Sequence, residues 1–251
     1  MSQATKMGSE EKPGELRPKK VLKVAAVIPV WNEAQSLGPL LDELRELPKE
    51  TLHLVVVADN RSTDGTPELA RERGAHVVTQ SRRGYGAACW EGFETAREMG
   101  ATHLLFLDGD GSDPPAAIPA MLDLLRNDGA NLVLGVRRSP PGETDPVPWH
   151  ARAGNALVCG LLRLRTGRRV SDLPSMKALS VASLEALDMR EMGFGWTTEL
   201  IAKALRRGYR VREVPLTVRA RTAGVSKVSG NLRNSARAAA DLLRTALQAT
   251  A

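Results

Sequence analysis

The chain has 251 residues, 42% of them hydrophobic, with a formal net charge of +6 and a pI near 9.6; that length supports one large α/β domain with a substantial core. Two cysteines (Cys89, Cys159) and four scattered histidines (His53, His76, His103, His150) exclude a disulfide framework and a Cys- or His-spaced zinc centre, so a reducing, cytoplasmic compartment is expected. No apolar run reaches the ~18 residues of a spanning helix and no secretory leader is recognisable, while 4% aromatic residues leave too few stacking platforms for nucleic acid to be an expected partner. The basic balance instead suits phosphate-bearing ligands, or peripheral contact with the anionic inner face of a membrane.

Residues 1–21 are rich in Glu, Lys, Gly, Pro and Ser and predict a disordered tail. LKVAAVIPV then predicts a buried strand over 22–30, ended by Pro29. After a loop of Trp31, Asn32 and Glu33, a helix is expected over 36–47, with Leu37, Leu40, Leu41 and Leu44 on one face. A second strand over 52–58 ends in acid at Asp59, and Asp64-Gly65-Thr66 turns into a helix over 67–73 that starts on Pro67. A short strand over 75–78 leads to SRRGYG and a helix over 87–99. An approachable glycine backbone, the cations Arg82 and Arg83 and a helix N-terminus together favour an anion. The next strand covers Leu104, Leu105, Phe106 and Leu107; a helix over 116–127 and a strand over 131–136, ending at Arg137 and Arg138, complete the run. Repeated strand-helix units predict a mostly parallel sheet with helices on both faces and a ligand at the carboxyl ends of its strands.

The strand at 104–107 breaks straight into Asp108, Asp110 and Asp113. With Gly109 and Gly111 between them, the first two carboxylates can turn toward one point, as a hard divalent cation bridging two phosphates requires. Taken alone the loop is equally a solvated acidic turn, since Asp and Gly are ordinary turn residues. Its neighbours favour a site: residues 31–33, Asp59 and Arg137-Arg138 all fall at the same edge of one sheet, where independent surface loops would have no reason to converge.

In chain order, VIPVWNEAQSL, ADNRSTDGT, RRGYGAA, DGDGSDPP, SDLPSMKALS, GWTTEL, REVPLTVRART and GVSKVSG resemble the motifs of the family 2 glycosyltransferases of GT-A fold, and within them the dolichol- and polyprenol-phosphate sugar transferase group. The resemblance spans residues 24–230. It implies a GT-A-type, Rossmann-like, mostly parallel sheet followed by an acceptor-side subregion, and an enzyme that moves a sugar from a UDP- or GDP-linked donor with inversion. Pro29, Trp31 and Glu33 would lie beside the nucleoside, and Asp59 would bond its base or ribose. Arg83, Gly84, Asp108 and Gly109 would complete the donor site, with Asp108 and Asp110 as the D-x-D pair that holds Mg²⁺ or Mn²⁺ against the diphosphate. Asp172 would lie beneath the donor sugar, and Glu199 would be a helix-borne carboxylate near the reaction centre. Asp110, Glu199 and Asp172 are therefore the candidate catalytic residues. A hydroxyl acceptor would need Glu199 or Asp172 as general base; a phosphate monoester would need none.

Arg137, Arg138 and Arg152 on one side, and Arg219, Arg221 and Lys227 on the other, bracket the acidic loop. Guanidinium groups bind phosphate bidentately, so these are candidate contacts for a phosphorylated acceptor, small or lipid-borne. The helix expected over 151–164 is apolar along Ala156, Leu157, Val158, Leu161 and Leu162, either as a face for lipid or as core packing. Beyond a domain at 22–229, residues 230–251 space Leu232, Ala236, Ala239, Leu243 and Leu247 for an amphipathic helix that packs on the domain or on a second subunit of a homodimer. Two readings compete. A sugar nucleotidyltransferase usually carries a Gly-rich Arg-Lys signature near the first strand, which VIPVWNEAQ lacks. A basic, non-enzymatic module for nucleic acid or lipid is opposed by the acidic loop, which repels phosphate unless a metal is present.

Overall fold

The computed structural model describes residues 22–80, 82–138, 147–217, 219 and 232–250, with side chains in the last stretch from residue 240. The expected tail, Arg221 and Lys227 lie outside the described residues. The strands are β1 (Val24–Val30), β2 (Leu54–Asp59), β3 (His76–Thr79), β4 (His103–Phe106), β5 (Leu132–Arg138), β6 (Lys177–Ser180) and β7 (Val211–Thr217). They form one sheet in the order β3-β2-β1-β4-β6-β5-β7. The helices are α1 (Ala34–Glu46), α2 (Thr66–Glu72), α3 (Tyr85–Glu98), α4 (Ile118–Asn127), α5 (Trp149–Thr166), α6 (Val181–Ala186), α7 (Trp196–Arg206) and α8 (Leu232–Ala249).

Strand alternation builds two cores. Ala25, Val27, Leu104, Phe106, Leu132 and Leu134 face one side, with Phe93 of α3, Leu162 of α5 and Leu200 of α7. Val24, Ala26, Ile28, Leu105 and Val133 face the other, with Leu37 and Leu41 of α1 and Met121 of α4. Both faces are covered, which is why these strands read as unbroken apolar runs rather than alternating ones.

One element departs from the expected parallel order. The last four residues of SDLPSMKALS form β6, antiparallel to both β4 and β5. Four residues are too few for a periodicity signal. The reversal matters for the site. Lys177, the first residue of β6, pairs with Phe106 and with Leu134 near the carboxyl ends of β4 and β5, so residues 171–176 arrive at the same edge as the acidic loop.

No described helix is long and apolar enough to cross a membrane. Val158, Cys159 and Leu162 of α5 are buried, as core packing requires, while Trp149, Leu157 and Leu164 are exposed. The last turns of α8 dock on the same chain. Ala246 is fully buried, Arg165 donates to Thr250 Oγ1 (3.3 Å) and Arg206 to the Ala249 carbonyl (3.3 Å).

Candidate active site

Two loops at the carboxyl edge are fastened by side-chain bonds. The Asn32 amide donates to Ser62 Oγ (2.8 Å), the Thr63 amide to Asn32 Oδ1 (2.8 Å) and the Glu33 amide to Thr66 Oγ1 (3.0 Å). Asn32 and Arg61 take left-handed backbone conformations (φ 53° and 66°) to make these turns. The cavity beside them measures about 370 Å³. Of the expected donor-side residues, Pro29, Trp31, Glu33, Arg83, Gly84, Asp108 and Gly109 line it, and so does Asp110. Asp59 is not among the lining residues; it is buried, and its carboxylate accepts the amides of Arg61 (3.2 Å) and Ser62 (3.1 Å), while Asn60 faces the cavity. Asp59 thus shapes the loop that a nucleoside would meet.

The acidic loop divides its three carboxylates between two jobs. Asp108 Oδ1 accepts the Tyr85 hydroxyl (3.3 Å), and Asp110 Oδ1 accepts the Ser112 amide (2.9 Å). Asp113 does not join them: its oxygens accept the Asp108 amide (3.1 Å) and the Ser175 hydroxyl (3.1 Å), so it braces the loop. Burial pushes the Asp113 pKa up, against the lowering effect of these two bonds. A Cβ on Gly109 would come within 2.6 Å of Val30 Cγ1, so only glycine lets the loop lie against β1. Among the described residues no group of three or more His, Cys, Asp or Glu is arranged to hold a metal. A pair of carboxylates opening on a cavity fits Mg²⁺ or Mn²⁺, which binds through one or two carboxylates and completes its shell with phosphate oxygens and water.

A residue overlooked in the sequence lies under this loop. Lys177 is fully buried; its Nζ donates to the carbonyls of Ser175 (2.7 Å) and Pro174 (3.2 Å) and lies 5.4 Å from the Trp196 ring and 5.9 Å from that of Phe106. Burial pulls its pKa down, opposed by Cys89, Asp108 and Asp113. The available signal was one lysine inside an otherwise apolar MKAL stretch.

The glycines of RRGYG serve packing rather than an open anion cradle. A Cβ on Gly84 (φ 155°) would lie 2.3 Å from the Met192 carbonyl oxygen, and one on Gly86 would lie 2.7 Å from that of Glu191. The first amides of α3 are engaged, Gly86 with the Gly193 carbonyl (3.1 Å) and Ala87 with that of Met192 (2.9 Å), which corrects the expectation of a helix N-terminus open to phosphate. The cation remains: Arg83 lies 5.9 Å from the centre of the Trp31 ring, at the cavity.

In the second half of the chain, Asp172 is almost fully buried and accepts Arg137 Nε (2.8 Å), Arg137 Nη2 (2.5 Å), the Arg137 amide (3.0 Å) and the Leu173 amide (2.8 Å). Burial works against the Arg137 charge, yet Asp172, Asp113 and Asp108 raise its pKa overall. With four donors on one carboxylate, Asp172 holds Arg137 in place. Glu199 is likewise engaged by the amides of Glu191 (2.7 Å) and Arg190 (3.0 Å) and by Lys203 Nζ (2.8 Å). It lines a separate concavity of about 750 Å³, away from the aspartate pair, which corrects its expected place at the reaction centre. Arg138 and Arg152 are exposed, at the end of β5 and the start of α5. Arg219 pairs with Glu43 (2.8 Å).

The chain matches the family model described as Glycosyl transferase family 2 over residues 25–180. It is 33% identical to an undecaprenyl-phosphate mannosyltransferase of Micrococcus luteus, over 84% of this chain and 89% of that protein. It is 30% identical to a polyprenol monophosphomannose synthase of Mycolicibacterium smegmatis, over 91% and 89%. In fold it resembles glucosyl-3-phosphoglycerate synthase of Mycobacterium tuberculosis, solved with Mn²⁺, UDP-glucose and phosphoglyceric acid, at a TM-score of 0.73 and 22% identity, over 92% and 81%.

Proposed function

The chain belongs to glycosyl transferase family 2 and is a glycosyltransferase, and from that premise we propose that it carries a hexosyl group from a UDP- or GDP-linked donor, bound with Mg²⁺ or Mn²⁺, to the phosphate of a polyprenyl phosphate, with inversion. The observation that carries the reading is the common cavity of Asp108, Asp110 and Arg83 at the sheet's carboxyl edge. The two lipid-phosphate relatives support the acceptor class, and the fold neighbour solved with Mn²⁺ and UDP-glucose supports the donor and the metal.

Asp108 and Asp110 would hold the cation, which when bound neutralises charge on the departing nucleoside diphosphate. Arg83 supplies a second positive charge at the cavity. Arg137, aimed by its bidentate pair with Asp172, offers a guanidinium to the acceptor phosphate, with Arg138 and Arg152 as further cations for it. An acceptor phosphate oxygen bonds to the anomeric carbon as the bond from that carbon to the diphosphate oxygen breaks. No proton moves, because the acceptor oxygen is already anionic; the engagement of Asp172 and Glu199 by donors agrees with a reaction that needs no base. The exposed Trp149, Leu157 and Leu164 on α5, beside the cations Arg152 and Arg163, suit peripheral contact with the cytoplasmic face of a membrane that carries such an acceptor.

The test is transfer of label from UDP-glucose, UDP-galactose or GDP-mannose, with Mn²⁺, to undecaprenyl phosphate. Label that partitions into organic solvent as a mild-acid-labile lipid is expected. Label transferred only to a soluble acceptor such as phosphoglycerate would overturn the lipid assignment, and no transfer from any donor would overturn the reading as a whole.

A further inference from the structure

We infer that Glu199 is a positioning residue that fixes one wall of the donor cavity and so sets the affinity for the nucleotide sugar, an inference that rests on the donor reading above.

The wall is the strap between α6 and α7. It leaves Asp188 in a left-handed conformation (φ 49°), whose carbonyl accepts Lys203 Nζ, and it presents Gly193 and the half-exposed Phe194 to the cavity. Nothing in its sequence, DMREMGFG, gives it regular structure, so its shape must come from bonds to its polar backbone groups. Glu199, in the first turn of α7 and 5% exposed, supplies them at one end by accepting the amides of Arg190 and Glu191. The Glu191 side chain accepts the Gly193 amide (2.7 Å), and the Met192 and Gly193 carbonyls accept the first amides of α3. Through Gly84 and Gly86 the strap is packed too closely against RRGYG to move without moving it. RRGYG in turn brings Arg83 to the cavity and Tyr85 to Asp108. A single carboxylate behind the wall therefore holds two sides of the cavity in register, and Lys203, paired with it at 2.8 Å, keeps it in place.

The experiment uses the full chain with Glu199→Gln and Lys203→Met, read by calorimetric titration of UDP and GDP with Mn²⁺, by steady-state kinetics and by amide hydrogen exchange. Gln keeps the shape but sets an NH2 against one of the strap's amides. Nucleotide Kd and donor KM are expected to rise by about 10-fold, with kcat held within about 3-fold and its pH profile unmoved, as for the loss of a supporting residue. Exchange over 190–193 is expected to quicken. Lys203→Met should shift all three the same way by less. An unchanged Kd with kcat down about 100-fold or more, restored in part by added formate, would overturn the inference in favour of a general base. Unchanged exchange would also overturn it. Should Glu199→Gln fail to fold, an unaltered Kd and unaltered exchange in Lys203→Met would overturn it in the same way. A wild-type chain that binds neither UDP nor GDP, while exchange still quickens in the variant, would sink the donor reading and leave the clamp standing.

Discussion

Asp108 and Asp110 in the first half of the chain and Asp172 and Glu199 in the second meet different partners. Asp108 and Asp110 follow β4 on a loop kept thin by Gly109 and open on a cavity that also holds Arg83. Asp172 and Glu199 are not among the residues that line that cavity, and each carries backbone amides and a cation: Arg137 on the one, Lys203 on the other. The difference lies in the groups each meets, and on the reading proposed above it separates groups that act on a ligand from groups that aim the ones that do.

The contrast breaks most visibly at Asp110. Asp110→Ala is expected to cut kcat/KM by about 10³-fold, roughly 4 kcal/mol of transition-state stabilisation, while thermal unfolding shifts little; a loss below about 10-fold would place Asp110 with the bracing carboxylates. Gly84→Ala tests the strap from its other side. A Cβ within 2.3 Å of the Met192 carbonyl forces backbone apart, so a stability loss of about 3 kcal/mol in urea titration is expected, with donor KM raised. Asp172→Asn leaves Arg137 without its charge partner and should cost about 2 kcal/mol and raise acceptor KM more than it lowers kcat. A kcat collapse with acceptor KM unmoved would make Asp172 a catalytic base after all. The smallest effect compares one thiol in each half. Burial pushes Cys89 and Cys159 up to about 12, so neither should react with a disulfide reagent at pH 8 until the chain is unfolded. The sign follows: unfolded thiols near 9 lose protons that the folded chain keeps, so stability falls as pH rises above about 9 toward 12.

The first half was legible because its elements announce themselves. Buried strands that run out into Trp31, Asp59 and Asp108 mark a sheet edge, and parallel order puts those ends together. The second half hid its geometry in short pieces. β6 has four residues, too few to show a period, and only its antiparallel pairing explains how Asp172, Ser175 and Lys177 reach β4 from seventy residues along the chain. Hydrogen-bond partners were the other blind spot. Nothing local to GWTTEL says that Glu199 faces the amides of Arg190 and Glu191, nor does RRGYG reveal that carbonyls from 192–193 take the α3 amides an anion was expected to use.

Calorimetric titration of UDP and GDP into the wild-type chain and into Asp110→Ala, each with and without Mn²⁺, bears most directly on the division between the two halves. Expected is binding by the wild type of at least one nucleotide that strengthens at least 10-fold with Mn²⁺, and no such gain in Asp110→Ala. Equal affinity with and without the metal, or an undiminished gain in Asp110→Ala, would contradict the placement of a cation and a diphosphate at Asp108 and Asp110.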